Sequence, residues 1–168
     1  ALRETMPQTR LVWVGDGPLR ETLRVRCPEA HFAGDRRGED LAAHYASADL
    51  FLFPSLTETF GNVTTEALAS GLPMVAYDLA AAGQLIRPGV NGQLAEPGNE
   101  AQFIRLALQL ACDGEHRQAM GQAAAQTAAA LGWHEVVLRF EAMLLEVIDA
   151  AQPPLVTASP AGSRWQTS

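Results

Sequence analysis

The sequence has no basic cluster. Its 12 basic residues are scattered and form no run longer than Arg36-Arg37, and 19 acidic residues bring the formal net charge to -7. Binding to nucleic acid rests on clustered Lys and Arg that neutralise phosphates, so no nucleic-acid partner is expected. Cysteine is scarce. Cys27 and Cys112 stand 85 positions apart. That spacing matches neither a metal site nor a redox pair, and both read as thiols of a reducing compartment. No apolar run reaches the ~18 residues that span a bilayer, and no secretory leader pattern opens the sequence. The cytoplasm is the expected compartment, with a peripheral place at the inner membrane face left open. No Asp-x-Asp pair sits in a loop suited to a divalent cation. His31, His44, His116 and His134 are dispersed, with no carboxylate or cysteine at ligand spacing, so no metal site is expected. Internal repeats are lacking.

What is present is ordinary globular material, 48% apolar and 18% charged over 168 residues, enough for one domain with a substantial core. Four segments read as buried strands: 10–14 (RLVWV), 30–33, 49–53 (DLFLF) and 73–76 (PMVA). Residues 93–95 read as a short edge strand. Trp13 and Phe51 read as core. Helical patterns alternate with the strands near 19–26, 39–47, 61–70 and 80–86, with Leu19 and Leu23 on one face of the first. Longer helices follow near 99–112, 114–131 and 133–150. The last carries Val137, Phe140, Leu144 and Ile148 on one stripe, and Trp133 opens it as a packing residue. Strand and helix in alternation predict an α/β fold, a Rossmann-like open parallel sheet with helices on both faces. Gly71 occupies the place of a left-handed helix C-cap, with Pro73 beyond it. Residues 1–5 read as the last turn of a helix ended by Met6-Pro7, as expected of a piece of a longer protein. The domain is expected over 1–150, and residues 151–168, rich in Pro, Ser, Thr and Ala, as a disordered tail.

The chemically informative stretch is 54–71, PSLTETFGNVTTEALASG. It runs strand end, Pro-stopped loop, glycine, helix. In open parallel sheets ligands sit beyond the carboxyl ends of the strands. A helix beginning at Gly61 turns its free N–H groups and positive dipole end toward that crevice, a site for a diphosphate. Glycine there lets a backbone approach the ligand. Glu58 and Glu66 bracket the site with seven residues between them. Asn62 and Glu66, four apart, share a helix face. Carboxylates accept strong hydrogen bonds from sugar hydroxyls. Asp78, after the fourth strand, faces the same crevice.

Glu58, Phe60-Gly61, Glu66 and the following ALASGLPMV closely resemble the donor-site signature of the family-four (group 1) retaining glycosyltransferases. VGDGPL at 14–19, FAG at 32–34, YASAD at 45–49 and PGVNG at 88–92 resemble that family in the same order. The similarity runs from the first residue to Ile148 and corresponds to the C-terminal, donor-binding domain of a GT-B fold, two Rossmann-like domains with a cleft between them. It implies that Glu58 contacts the transferred sugar and that the amides of Phe60, Gly61, Asn62 and Val63 bind sugar and diphosphate. Glu66 would hold the ribose hydroxyls. Gly15 and Gly17 would lie near the phosphates, and Arg36 and Arg37 near the base or phosphate. No cofactor is implied. The donor is a nucleoside diphosphate sugar, with UDP and GDP both open and GDP-mannose suggested by TETFGNV and ALASG. The reaction is typically metal-independent. The family's last helix packs back on the N-terminal domain, which also carries the acceptor glycan or lipid site and a cleft His. That domain, the first strand and helix start of this one, and the family's phosphate-binding Arg and Lys would precede the first residue here. The isolated piece is then expected to be inactive.

Two alternatives stand beside this reading. A sugar-nucleotide 2-epimerase shares the architecture but lacks the Glu-Phe-Gly-Glu arrangement. A flavodoxin-like signalling or nucleotide-binding module would need an acidic cluster after its first strand, where only Asp16 stands.

Overall fold

The computed structural model describes residues 2–151, apart from the side chain of Trp133. The expected tail at 152–168 lies outside the described residues. Two compact units divide at Leu131.

The first unit is α/β throughout. After a single helical turn, α1 (Leu2–Thr5), come β1 (Val12–Val14), α2 (Arg20–Arg26), β2 (His31–Gly34), α3 (Gly38–Ala46) and β3 (Phe51–Phe53). Then follow α4 (Asn62–Ala69), β4 (Met74–Tyr77), α5 (Ala80–Leu85), β5 (Gly92–Ala95), α6 (Glu100–Cys112) and α7 (Gly114–Ala129). All strand pairs are parallel. They form two ladders, β1-β2 and β3-β4-β5. β5, at the edge of its ladder, is the expected short edge strand.

The three-stranded ladder carries the core because side chains alternate across it. Met74 and Ala76 of β4 point to one face and pack with Ala67 of α4 and with Ala82 and Ile86, with Phe51 and Phe53 alongside. Val75 and Tyr77 point to the other face, against Phe103, Ala107 and Leu110 of α6 and Met120 of α7. All four residues of β4 are buried, as a central strand covered on both faces requires. Helix ends follow their residues. Gly71 has φ 66, the left-handed C-terminal conformation expected of it. Asn99 and Asp113 cap α6 and α7 through side chains that accept from the amides of Gln102 and His116.

The two-stranded ladder departs from the expectation of buried strands. Val12, Trp13 and Val14 are 52%, 40% and 42% exposed, so Trp13 is not a core residue. The reason is geometric. β1 has one strand neighbour, β2, and no residue of α2 is buried against it. Leu19, expected to share a face with Leu23, stands at the N-cap of α2 and is 66% exposed. Trp13 instead stacks on Phe32 across the ladder, with ring centroids 6.0 Å apart.

The second unit holds α8 (Trp133–Ala151). Val137, Phe140, Leu144 and Ile148 do form a stripe, and all four are exposed.

Candidate functional site

The site grows from the end of β3. Pro54 ends the strand because it has no N–H to give the ladder. The loop that follows is held down where Ala81 N–H donates to Phe60 O at 2.8 Å. This bond ties the loop to α5. Gly61 then takes φ 96, ψ 57 as the N-cap of α4. That left-handed conformation is costly for residues with a Cβ, so the glycine is required by the turn itself. Thr64 N–H donates to Gly61 O at 2.9 Å. It starts the intrahelical ladder and leaves the earlier amides of Asn62 and Val63 for a ligand.

A Cβ on Gly61 would stand 3.9 Å from Glu58 Oε2, 3.7 Å from Thr64 Oγ1 and 3.5 Å from Ala81 Cβ. Glu58, Gly61 and the helix start are therefore assembled, around a gap of about 10 Å³ that Phe53 and Tyr77 also line. That is the room of roughly one water molecule. Glu58 and Glu66 are both exposed. An exposed carboxylate next to a helix start can accept hydroxyl hydrogen bonds while the amides face an anion.

The Gly15–Gly17 turn is a second assembly, at the ends of β1 and β2. Gly15, with φ 122, donates its N–H to Gly34 O at 2.8 Å. Asp16 accepts from Gly17 N–H at 2.8 Å and from Arg20 Nη1 at 2.7 Å. A larger hollow of about 470 Å³, lined by Arg24, Pro28 and Phe32, lies at the opening end of β2, away from the strand ends where parallel sheets bind ligands.

The family model for glycosyl transferases group 1 matches residues 1–113. The chain belongs to this family. It is 47% identical over 89 residues to the GDP-mannose-dependent alpha-mannosyltransferase of Mycobacterium tuberculosis, across 53% of this chain and 24% of that protein. The chain spans between 24% and 36% of the length of the first curated relatives it matches. Sucrose-phosphate synthase from Thermosynechococcus elongatus superposes with a TM-score of 0.74 at 24% identity, over 88% of this chain and 40% of that one; this likeness shows the fold alone. HepE from Anabaena, solved in complex with UDP-glucose, superposes with a TM-score of 0.68 at 25% identity, over 86% of this chain and 42% of that one. The α/β fold is that of GT-B glycosyltransferases.

In this group 1 glycosyltransferase chain the two expected basic contacts are engaged locally. Arg36 pairs with Asp40 at 3.0 Å, and Arg37 with Asp35 at 2.9 Å. Both pairs are solvent-facing and weak, so either arginine can exchange its partner for a ligand anion. His44 does have a carboxylate neighbour. Its Nδ1 lies 2.7 Å from Asp40 O and 3.6 Å from Asp40 Oδ1, one helical turn away. Among the described residues no group of three His, Cys, Asp or Glu could hold a metal ion, and no helix is long and apolar enough to cross a membrane.

Two residues of the site escaped the sequence reading. Thr64 is buried to 1% exposure, and its hydroxyl has no hydrogen-bond partner. Tyr45, at the end of α3, donates its phenol hydrogen to Glu66 Oε2 at 3.2 Å. No local spacing signals that bond, since 21 positions separate the two. YASAD marks Tyr45 only as part of a motif.

Proposed function

We propose that this chain is the donor-binding half of a two-domain enzyme. The enzyme moves a hexose from a nucleoside diphosphate sugar to an acceptor hydroxyl, with the anomeric configuration retained. The observation that carries this reading is Gly61. Its left-handed conformation opens α4 next to Glu58, at the carboxyl end of a parallel strand. In transfer the bond from the anomeric carbon to the diphosphate oxygen breaks, a bond to the acceptor oxygen forms, and the acceptor proton leaves toward the diphosphate. Negative charge grows on the leaving group. The helix start, equivalent to about +0.5 charge, and the amides of Phe60, Gly61, Asn62 and Val63 offset that charge. Glu58 orients the sugar, Glu66 holds the ribose, and Gly15 and Gly17 give the phosphates close backbone. The chain contains no lysine. Besides Arg36 and Arg37, Arg20 stands at the Gly15 turn, and the N-terminal half supplies the glycan or lipid acceptor site. The isolated chain is then inactive. The helix start acts where a divalent cation otherwise would, so chelator should leave turnover unchanged.

Both bases stay open, because the mycobacterial relative uses GDP-mannose by name and HepE was solved with UDP-glucose. GDP-mannose is the donor to test first. For a lipid acceptor the enzyme works at the cytoplasmic face of the inner membrane. Supplying the two-domain protein with GDP-mannose, UDP-glucose and acceptor lipid extract tests the reaction. Nucleoside diphosphate release with an axial anomeric linkage in the product supports it. Release of a free epimerised sugar nucleotide would instead establish the 2-epimerase.

A further inference from the structure

Glu66 is not free on the exposed face of α4. One of its oxygens, Oε2, accepts a 3.2 Å hydrogen bond from the Tyr45 hydroxyl. The Tyr45 ring is itself fixed. It meets Phe51 of β3 edge-on, with centroids 5.6 Å apart and planes at 73°, and packs against the cluster of Ala67, Met74 and Ala76. A half-buried residue thus reaches out of the packed layer and ends on a carboxylate of α4. Packing alone would be served by phenylalanine; the hydroxyl's partner is Glu66.

We infer that Tyr45 is a positioning residue of the donor site, holding the Glu66 carboxylate in its ribose-accepting orientation before the nucleotide arrives. This rests on the reading of Glu66 as the ribose contact. A free glutamate side chain samples many rotamers, and freezing it opposes binding. With Oε2 tethered, that cost is met on folding. Both lone pairs of Oε1 and the remaining one of Oε2 stay available as acceptors, enough for the two donors of a vicinal diol.

The test compares the two-domain protein with its Tyr45→Phe, Glu66→Ala and double variants by calorimetry. Each is titrated with UDP, GDP and the 2′,3′-dideoxy forms of both. Tyr45→Phe is expected to weaken the preferred ribonucleotide about three- to tenfold, the scale of one hydrogen bond, and to leave the dideoxy form unchanged. The double variant should bind as Glu66→Ala does. Equal weakening of ribo and dideoxy forms would make Tyr45 a packing residue, and no weakening of either would also overturn the inference. If Glu66→Ala abolishes the preference for ribose while Tyr45→Phe keeps it, only the positioning role fails. If Glu66→Ala keeps that preference, the ribose role of Glu66 fails and takes this inference with it.

Discussion

Glu58 and Glu66 differ in what the protein does with them. Glu58 sits beside Gly61 in a loop, whereas Glu66 is tethered through Tyr45. The proposed roles differ accordingly. Glu58→Gln keeps the shape but halves the acceptor capacity, so turnover should fall by about tenfold or more, with nucleotide affinity nearly unchanged. Steady-state kinetics beside nucleotide titration checks this, and full turnover would remove the sugar contact. Tyr45 also gives a stability signature. Burial, then the Glu66 charge and the hydrogen bond to it, push its phenol from 10.0 up to about 12. The folded state therefore prefers the protonated phenol more than the unfolded chain does. Stability from this source is full below pH 10 and is lost as pH rises toward 12. Tyr45→Phe should flatten that part of the curve in denaturant melts taken across this range. An unchanged slope would show that the phenol does not titrate in this way. Glu58, Gly61 and Glu66 were legible in the sequence because they lie on one strand–loop–helix unit. Tyr45 and Thr64 were not, since a contact across 21 positions and an orphan hydroxyl arise only from packing.

Elements were read well where local chemistry fixes them. Gly71 ends α4 and Pro54 ends β3 through a backbone property of the residue itself, and Asn99 opens α6 through its side-chain oxygen. Burial of an element was less legible, because it depends on neighbours: RLVWV has the composition of a buried strand, yet Trp13 is 40% exposed beside its single partner strand. The contact between α4 and α7 shows the same dependence. Gly121 sits inside α7, where alanine would raise helix propensity by about 1 kcal/mol. A Cβ there would stand 2.5 Å from Gly71 O and 3.5 Å from Pro73 Cδ. The carbonyl is backbone and cannot rotate away. Gly121→Ala should therefore destabilise the fold by about 1–3 kcal/mol, and the loosened turn after α4 should be visible in chemical denaturation. A stabilised variant would mean that the two helices part without cost. The PGVNG turn is held as firmly: Asn91, fully buried, accepts from Arg87 N–H and donates to Leu85 O and Thr127 Oγ1. The turn itself follows from its Pro, Gly and Asn, whereas the bond from Asn91 to Thr127 depends on α7.

Across the whole molecule, parallel topology was readable from the alternation of strands and helices, but the division into two ladders was not. Doubly wound sheets of order 3-2-1-4-5-6 reproduce the observed β2-β1 and β3-β4-β5 if one further parallel strand lies between β1 and β3. We propose that a segment N-terminal to this chain supplies it. Amide exchange in β1 and β3 should then be slower in the two-domain protein than in this chain alone, and equal rates would exclude the strand. With that strand in place the Gly15 turn and the Gly61 helix start belong to one row of strand ends. Donor binding at this row is what the proposed function requires. Calorimetric titration of UDP and GDP into the two-domain protein, with Glu66→Ala beside it, tests this most directly. Saturable binding of one nucleotide, weakened in the variant by about 1–3 kcal/mol, the scale of lost charged hydrogen bonds, is the expected result. Binding of neither nucleotide, or equal affinity in the variant, would contradict it.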